Sequence, residues 1–150
     1  MLYGFGGAGK YRGGLGTHQT VRLEKGEFGP LGPTRVFMQG GRMHYPVPGL
    51  LGGYDGPKGV CKINGQVIMD PTKGASLMPG DHVEFFIPGG GGYGNPLERE
   101  LSQVEEDVRN EFVSPEAAKD IYGVVMDKSG WNVDVKASED LRALKRSSSR

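Results

Sequence analysis

The sequence predicts an α+β chain, and three observations carry that prediction. Residues 1–94 break into short alternating strands separated by turn chemistry. Residues 95–150 change to a helical period. The glycines divide at the same place, because 25 of the 27 lie in residues 1–94 and only Gly123 and Gly130 lie beyond. The organisation read from this is a Gly-rich β segment, 1–94, followed by a helical C-terminal extension, 95–150, within one structural unit.

Each element has a local reason. Thr17–Lys25 alternates, with Thr20, Arg22 and Glu24 on one face and Val21 and Leu23 on the other. Thr34–Gln39 reads as a second short strand. Val60–Met69 reads as a hairpin, because Asn64-Gly65 supplies the two positive φ angles of a type I′ turn. Met78-Pro79-Gly80-Asp81 is a turn, and His82–Ile87 is the strand that leaves it. Gly26–Pro33 and Tyr45–Gly59 are dense in Gly and Pro and read as shaped connections. Beyond Gly94, Leu97, Leu101, Val104, Val108 and Phe112 recur at helical spacing among charged positions. Asn95 suits the N-cap of that helix, Pro96 its first turn, and Glu98 the capping-box position. Ser114-Pro115-Glu116 opens a short helix that Gly123 can close. Val124–Met126 reads as a short strand, Ser138–Arg146 as the last helix, and 147–150 as a frayed tail.

Composition excludes several classes. Gly and Pro make up 37 of 150 residues, a share at which disorder competes. Against it stand 9% aromatics and a balance of 18 basic and 18 acidic residues, since disordered chains lack aromatics and carry net charge. The neutral balance argues against a nucleic-acid or polybasic membrane binder. No run of about 20 apolar residues spans a bilayer, and residues 1–20 lack the apolar stretch of a signal peptide, so the chain reads as cytoplasmic. The single Cys61 can form neither an internal disulfide nor a Cys-based zinc site.

Two segments fit a glycine fingerprint. Gly4, Gly6 and Gly9 match G-x-G-x-x-G, but Tyr11 follows Lys10 where a P-loop needs Ser or Thr, and no helix-forming sequence follows. Gly89, Gly91 and Gly94 match it with better flanks, a strand before and a capped helix after. That second segment reads either as a tight crossover where only Gly lets backbones approach, or as a contact for an anion or substrate. No acidic strand end follows about 20 residues on, as a dinucleotide fold requires. His18, His44 and His82 have no short-spaced partners for a metal. No nucleophile elbow is present, and the carboxylates of Glu98–Glu111 read as the wet face of a helix. These residues alone assemble no catalytic constellation.

The longer strings identify a resemblance. Gly6-Gly7-Ala8-Gly9-Lys10-Tyr11-Arg12-Gly13-Gly14-Leu15-Gly16, Met78-Pro79-Gly80-Asp81, Pro88-Gly89-Gly90-Gly91-Gly92-Tyr93-Gly94-Asn95-Pro96-Leu97-Glu98-Arg99, Val113-Ser114-Pro115-Glu116-Ala117-Ala118 and Tyr122-Gly123-Val124-Val125 follow in that order. Together they resemble the C-terminal part of the hydantoinase B/oxoprolinase family, over most of the chain. The family takes in the B-type subunits of ATP-dependent hydantoinases, the matching half of 5-oxoprolinase and the related large subunits of acetone and acetophenone carboxylases. Asn95 stands where Asp is more usual, and both residues cap helices. Past Gly123 the resemblance fades.

The resemblance implies a segment or split subunit of an ATP-dependent cyclic-amide hydrolase, contributing structure and subunit interface, in a hetero-oligomer. Its implied partners are an A-type ATP-binding subunit and the rest of a B-type subunit, with neither nucleic acid nor membrane. ATP and a divalent metal are implied for the wider complex and not for this chain alone. Part of a ketone carboxylase, or a non-catalytic interaction module, are the alternatives. Lys10, Tyr11, Arg12, Gly89, Gly91, Tyr93, Gly94 and Asn95 are the candidate substrate, anion or interface positions. Of these, Lys10 and Arg12 carry the charge that could offset a phosphorylated intermediate.

Overall fold

The computed structural model describes residues 6–27, 32–39 and 42–148. Gly4 of the first fingerprint, part of the Gly26–Pro33 connection and the end of the 147–150 tail lie outside the described residues. The α+β class is what the fold shows. Two compact units alternate along the chain. The sheet unit takes residues 16–46 and 58–88; the helical unit takes the described residues up to Leu15, Val47–Pro57, and the chain from Gly89 onward.

The sheet unit contains β1 (Thr17–Arg22), β2 (Thr34–Val36), β3 (Val60–Ile63), β4 (Gln66–Val67), β5 (Ala75–Leu77) and β6 (His82–Ile87). Four strands form an antiparallel sheet in the order β1-β6-β3-β4, and β2 pairs with β5 in a second. The β3–β4 hairpin turns at Asn64 and Gly65, whose φ angles of 49° and 80° are those the Asn-Gly pair predicts. Met38, Cys61, Leu77 and Val83 form the core, with Leu23, Ile63 and Phe85 packed against it. β1 is shorter than the alternation suggests and is an edge strand with every residue exposed. Its Val21 stays 52% exposed, and only Leu23, just past the strand, turns inward. β2 likewise stops at Val36, three residues before the expected end. On the other face of the sheet, His18 stacks on Phe86, and the Nε2 atoms of His18 and His82 lie 3.4 and 3.8 Å from the Glu84 carboxylate.

The helical unit contains α1 (Leu101–Arg109), α2 (Pro115–Asp120) and α3 (Val135–Ser148). The helix expected over 97–112 is interrupted. Asn95 does cap a turn, its Oδ1 accepting from Leu97 N–H at 2.9 Å, but that turn is a single 3₁₀ turn, Pro96–Glu98. Arg99 and Glu100 are then extended, each with ψ of 135°, before α1 begins. The break follows from tertiary bonding: extended, Arg99 reaches both Asp107 and the Lys10 carbonyl. Glu98 faces Lys10 at 3.6 Å, away from the capping-box partner.

α2 matches its prediction, with Ser114 Oγ accepting from Ala117 N–H at 3.1 Å and Gly123 at φ 63° beyond its end. Val124–Met126 reduces to one bridge, Met126 with Val133. α3 starts three residues earlier than expected, because Asp134 is its cap, with Oδ1 accepting from Ala137 N–H at 3.0 Å. Ser138 is instead fully buried, its Oγ accepting from Val125 N–H and donating to the Asp134 carbonyl. The helix also outlasts Arg146, where Ser147 and Ser148 hydroxyls donate back to the Leu144 carbonyl. The core of this unit is Ala8, Val104, Val108, Val113, Ala118, Tyr122 and Val124, so the apolar stripe of α1 faces inward as its spacing predicts.

Candidate functional site

The helical unit also holds three Gly-rich segments, residues 6–14, 49–56 and 89–94, and each hydrogen-bonds to the other two. Gly7 N–H donates to Gly90 O at 2.8 Å, and Tyr11 and Tyr93 exchange both backbone bonds at 2.9 Å. Leu50 N–H donates to Gly92 O, Gly94 N–H to Leu50 O, and Tyr54 N–H to Ala8 O at 2.7 Å. Such a stack closes only where side chains are absent from its interior. A Cβ on Gly92 would overlap the Ala8 carbonyl, and one on Gly53 would overlap the Gly92 carbonyl. The 89–94 segment is therefore a close backbone approach, the first of the two readings its sequence allows. Its N–H groups at Gly90, Gly92, Tyr93 and Gly94 donate to the carbonyls of Gly14, Tyr54, Tyr11 and Leu50.

The charged candidates sit at the edge of this stack. Arg12 donates through Nε and Nη2 to the two oxygens of Asp107, at 3.3 and 3.2 Å. Arg99 meets the same carboxylate from the other side, its Nε at 3.1 Å and Nη2 at 3.0 Å from Oδ2. Asp107 is buried between the two guanidiniums, and Arg12 also lies over the Phe112 ring, 5.3 Å from its centroid. One carboxylate thus ties the first Gly-rich segment and the extended break at Arg99 to α1. Removing the Asp107 carboxylate would leave two guanidiniums without their shared partner, whereas removing one guanidinium leaves a single ion pair. Lys10 is more open and sits in an exposed pair with Glu98. Beside the triad, burial pushes the Tyr122 phenol above its ordinary pKa, against the opposing charge of Arg99.

Two concavities border these groups. A mainly apolar cleft of about 360 Å³ runs between the Gly6–Ala8 backbone, Tyr54, Phe112, Ile121 and Tyr122, with Arg12 at its wall. A polar groove of about 600 Å³ lies between Lys10, the 97–101 stretch and α3. In that groove Arg142 donates to the carbonyls of Tyr122 and Arg99, and Arg146 to that of Leu97. These bonds satisfy carbonyls left open where the 3₁₀ turn and α2 end. Burial, and then the neighbouring Arg146 charge, lower the Arg142 pKa.

The structure thus brings the eight candidate positions onto two adjoining segments. Lys10, Tyr11 and Arg12 run beside Tyr93 and Gly94, and Asn95 leads out of the stack into the 3₁₀ turn. Sequence reasoning missed Asp107 as the partner of Arg12 and Arg99 as the second cation on it, and it read the 49–56 segment only as part of a shaped connection. Gly49, Gly53 and Gly56 were the available signal for the latter. Among the described residues, no three His, Cys, Asp or Glu side chains come together at distances that would hold a metal. The N–H groups of Gly90, Gly92, Tyr93 and Gly94 are taken up within the stack. No helix among the described residues is long and apolar enough to cross a membrane.

Residues 2–96 match the sequence profile of Hydantoinase B/oxoprolinase. The beta chain of caprolactamase from Pseudomonas jessenii is 33% identical over 144 residues, covering 83% of this chain and 22% of that protein. The B-type chain of a candidate D-/L-hydantoinase from Pseudomonas sp. (strain NS671) is 31% identical over 143 residues, covering 91% and 23% respectively. The crystal structure of ATP-dependent caprolactamase from Pseudomonas jessenii superposes with a TM-score of 0.67 at 32% identity, over 95% of this chain and 25% of that one. Nucleotide-free acetone carboxylase superposes with a TM-score of 0.73 at 23% identity, over 99% of this chain and 24% of that one, a likeness of fold. The chain therefore spans about a quarter of the length of the proteins it matches.

Proposed function

The chain belongs to the hydantoinase B/oxoprolinase family, and we propose that it serves there as one segment of an ATP-dependent cyclic-amide hydrolase, supplying shape and interface more than reacting groups. Sequence kinship to the caprolactamase beta chain and to the B-type chain of a hydantoinase supports the cyclic-amide class. The observation that carries the structural role is the commitment of Arg12. Its guanidinium is bound to a buried carboxylate within its own unit, which supports a fold-holding role over a substrate-facing one. ATP and the divalent metal belong, in this reading, to an A-type subunit and to the rest of a B-type subunit, with which the chain assembles in the cytoplasm.

Lys10 is the position that could still meet substrate charge, and it provides the test. The chain is co-expressed with an A-type subunit and an N-terminal B-type fragment, and ATP-coupled opening of a hydantoin, 5-oxoproline or caprolactam is assayed. Turnover is expected only with all components present, and Lys10→Ala is expected to hold kcat within about twofold. Ring opening by the purified chain alone would overturn the proposal, and a collapse of kcat in Lys10→Ala would make Lys10 catalytic. The shared fold with acetone carboxylase favours a second reading, ATP-driven carboxylation of a ketone. Turnover that requires bicarbonate and a ketone, and ignores cyclic amides, would select it.

A further inference from the structure

A turn inside the 49–56 segment has an unusual residue at its tip. Gly53 N–H donates to Leu50 O at 2.9 Å, closing a turn whose central residues, Leu51 and Gly52, have φ of 49° and 91°. Two positive φ angles define a type I′ turn, for which Asn, Asp or Gly is the unstrained choice at the first central position. Leucine there crowds its Cβ against its own backbone. Nothing in the folded unit repays this through burial, because Leu51 is 75% exposed.

Leu51 is not an isolated surface leucine. Leu50 bridges Tyr93 in parallel register, and Tyr11 pairs with Tyr93 in antiparallel register, so these residues lie side by side on adjoining segments. The two tyrosine rings are 6.2 Å apart between centroids. Leu50, Tyr11 and Tyr93 remain 59%, 59% and 48% exposed. Contiguous exposed apolar groups mark interaction surfaces, and tyrosine is among the residue types most often found carrying them. Backbone strain held by a residue without local compensation points the same way.

We infer that Leu50, Leu51, Tyr11 and Tyr93 form the surface on which the remainder of a B-type subunit docks. The occupant follows from size and chemistry. The solved caprolactamase chain is about four times the part this chain covers, so three quarters of a family protein is available to cover the patch. The patch itself is aromatic and aliphatic, which suits permanent packing between parts of one assembly more than transient ionic docking. The inference rests on the assembly proposed above and names its contact surface.

The test exploits opposite signs. Leu51→Asn relieves the turn and removes the apolar contact, so the isolated chain is expected to melt at an equal or higher temperature while its affinity for the B-type fragment falls at least tenfold. Tyr11→Ser is expected to weaken the same association without unfolding the chain. Affinities are read by titrating the full chain into the co-expressed B-type fragment, and stability by thermal melting of the chain alone. Binding by the natural chain with equal binding by both variants would overturn this inference and leave the proposed assembly standing. Absence of binding by the natural chain would remove the assembly and the inference together. A homodimer of the chain that Leu51→Asn dissolves would assign the patch to a second copy and overturn the stated occupant.

Discussion

Glycine serves two different physical purposes in the two units. In the sheet unit, Gly65, Gly74 and Gly80 have φ between 76° and 102°, so glycine is there for conformation at turns. The helical unit also turns on positive-φ glycines such as Gly52, Gly94 and Gly123, but its Gly7, Gly13, Gly53, Gly91 and Gly92 are there for space, since a Cβ at each would strike a backbone atom of a neighbouring segment. The sheet unit then gains its stability from side chains, with Val83 and Cys61 packed away from solvent. The Gly-rich stack gains its own from lateral backbone hydrogen bonds, each worth about 1 kcal/mol net. A sequence count cannot separate these uses, because both leave the same letter in a loop.

Alanine and asparagine substitutions can break this contrast. Gly92→Ala is expected to have the largest effect, costing about 3 kcal/mol or more, because the new methyl meets the Ala8 carbonyl, which is backbone and cannot rotate away. Denaturant titration followed by the tyrosine signal would measure it, and a loss below about 1 kcal/mol would mean that the stack is not close-packed. Gly65→Asn is expected to cost under about 1 kcal/mol by the same measurement, because nothing lies near its Cβ and asparagine tolerates the left-handed region. Equal losses at Gly92 and Gly65 would erase the distinction between space and conformation.

The smallest effect lies in a loop of the helical unit that uses side chains in place of glycine packing. The Ser129 hydroxyl and the Asn132 amide hold the Asp127 carboxyl down to about 2. Because the folded value is depressed, the stabilisation is complete above the ordinary aspartate range and is lost as pH falls toward 2. Carboxyl NMR should find this titration, and Ser129→Ala should move it back toward the ordinary range. An unchanged midpoint in Ser129→Ala would assign the shift to another donor.

What was legible in the sequence was local. Asn64-Gly65, the Ser114 cap and the Leu101, Val104 and Val108 part of the α1 stripe each act within a few residues, and each appears where its pattern places it. What was illegible depended on distant partners. The break at Arg99 and Glu100 is fixed by a carboxylate on α1 and by the Lys10 carbonyl, neither of which leaves a periodic trace. Arg12 stands out in the sequence as a charged group, yet its partner lies 95 positions away, so its role could not be read from its neighbours. The start of α3 was a missed local signal: Asp134, four residues before Ser138, is an ordinary capping residue.

The buried sulfur of the sheet unit has a kinetic consequence. Cys61 is the single thiol of the sequence, 1% exposed on the strand paired with β6, and burial raises its pKa. Alkylating reagents need a thiolate they can reach, so labelling must wait for β3 to open. Each modified molecule then records one opening event of the sheet, and the mass added over time is a clock, built into the chain, that needs no engineered probe.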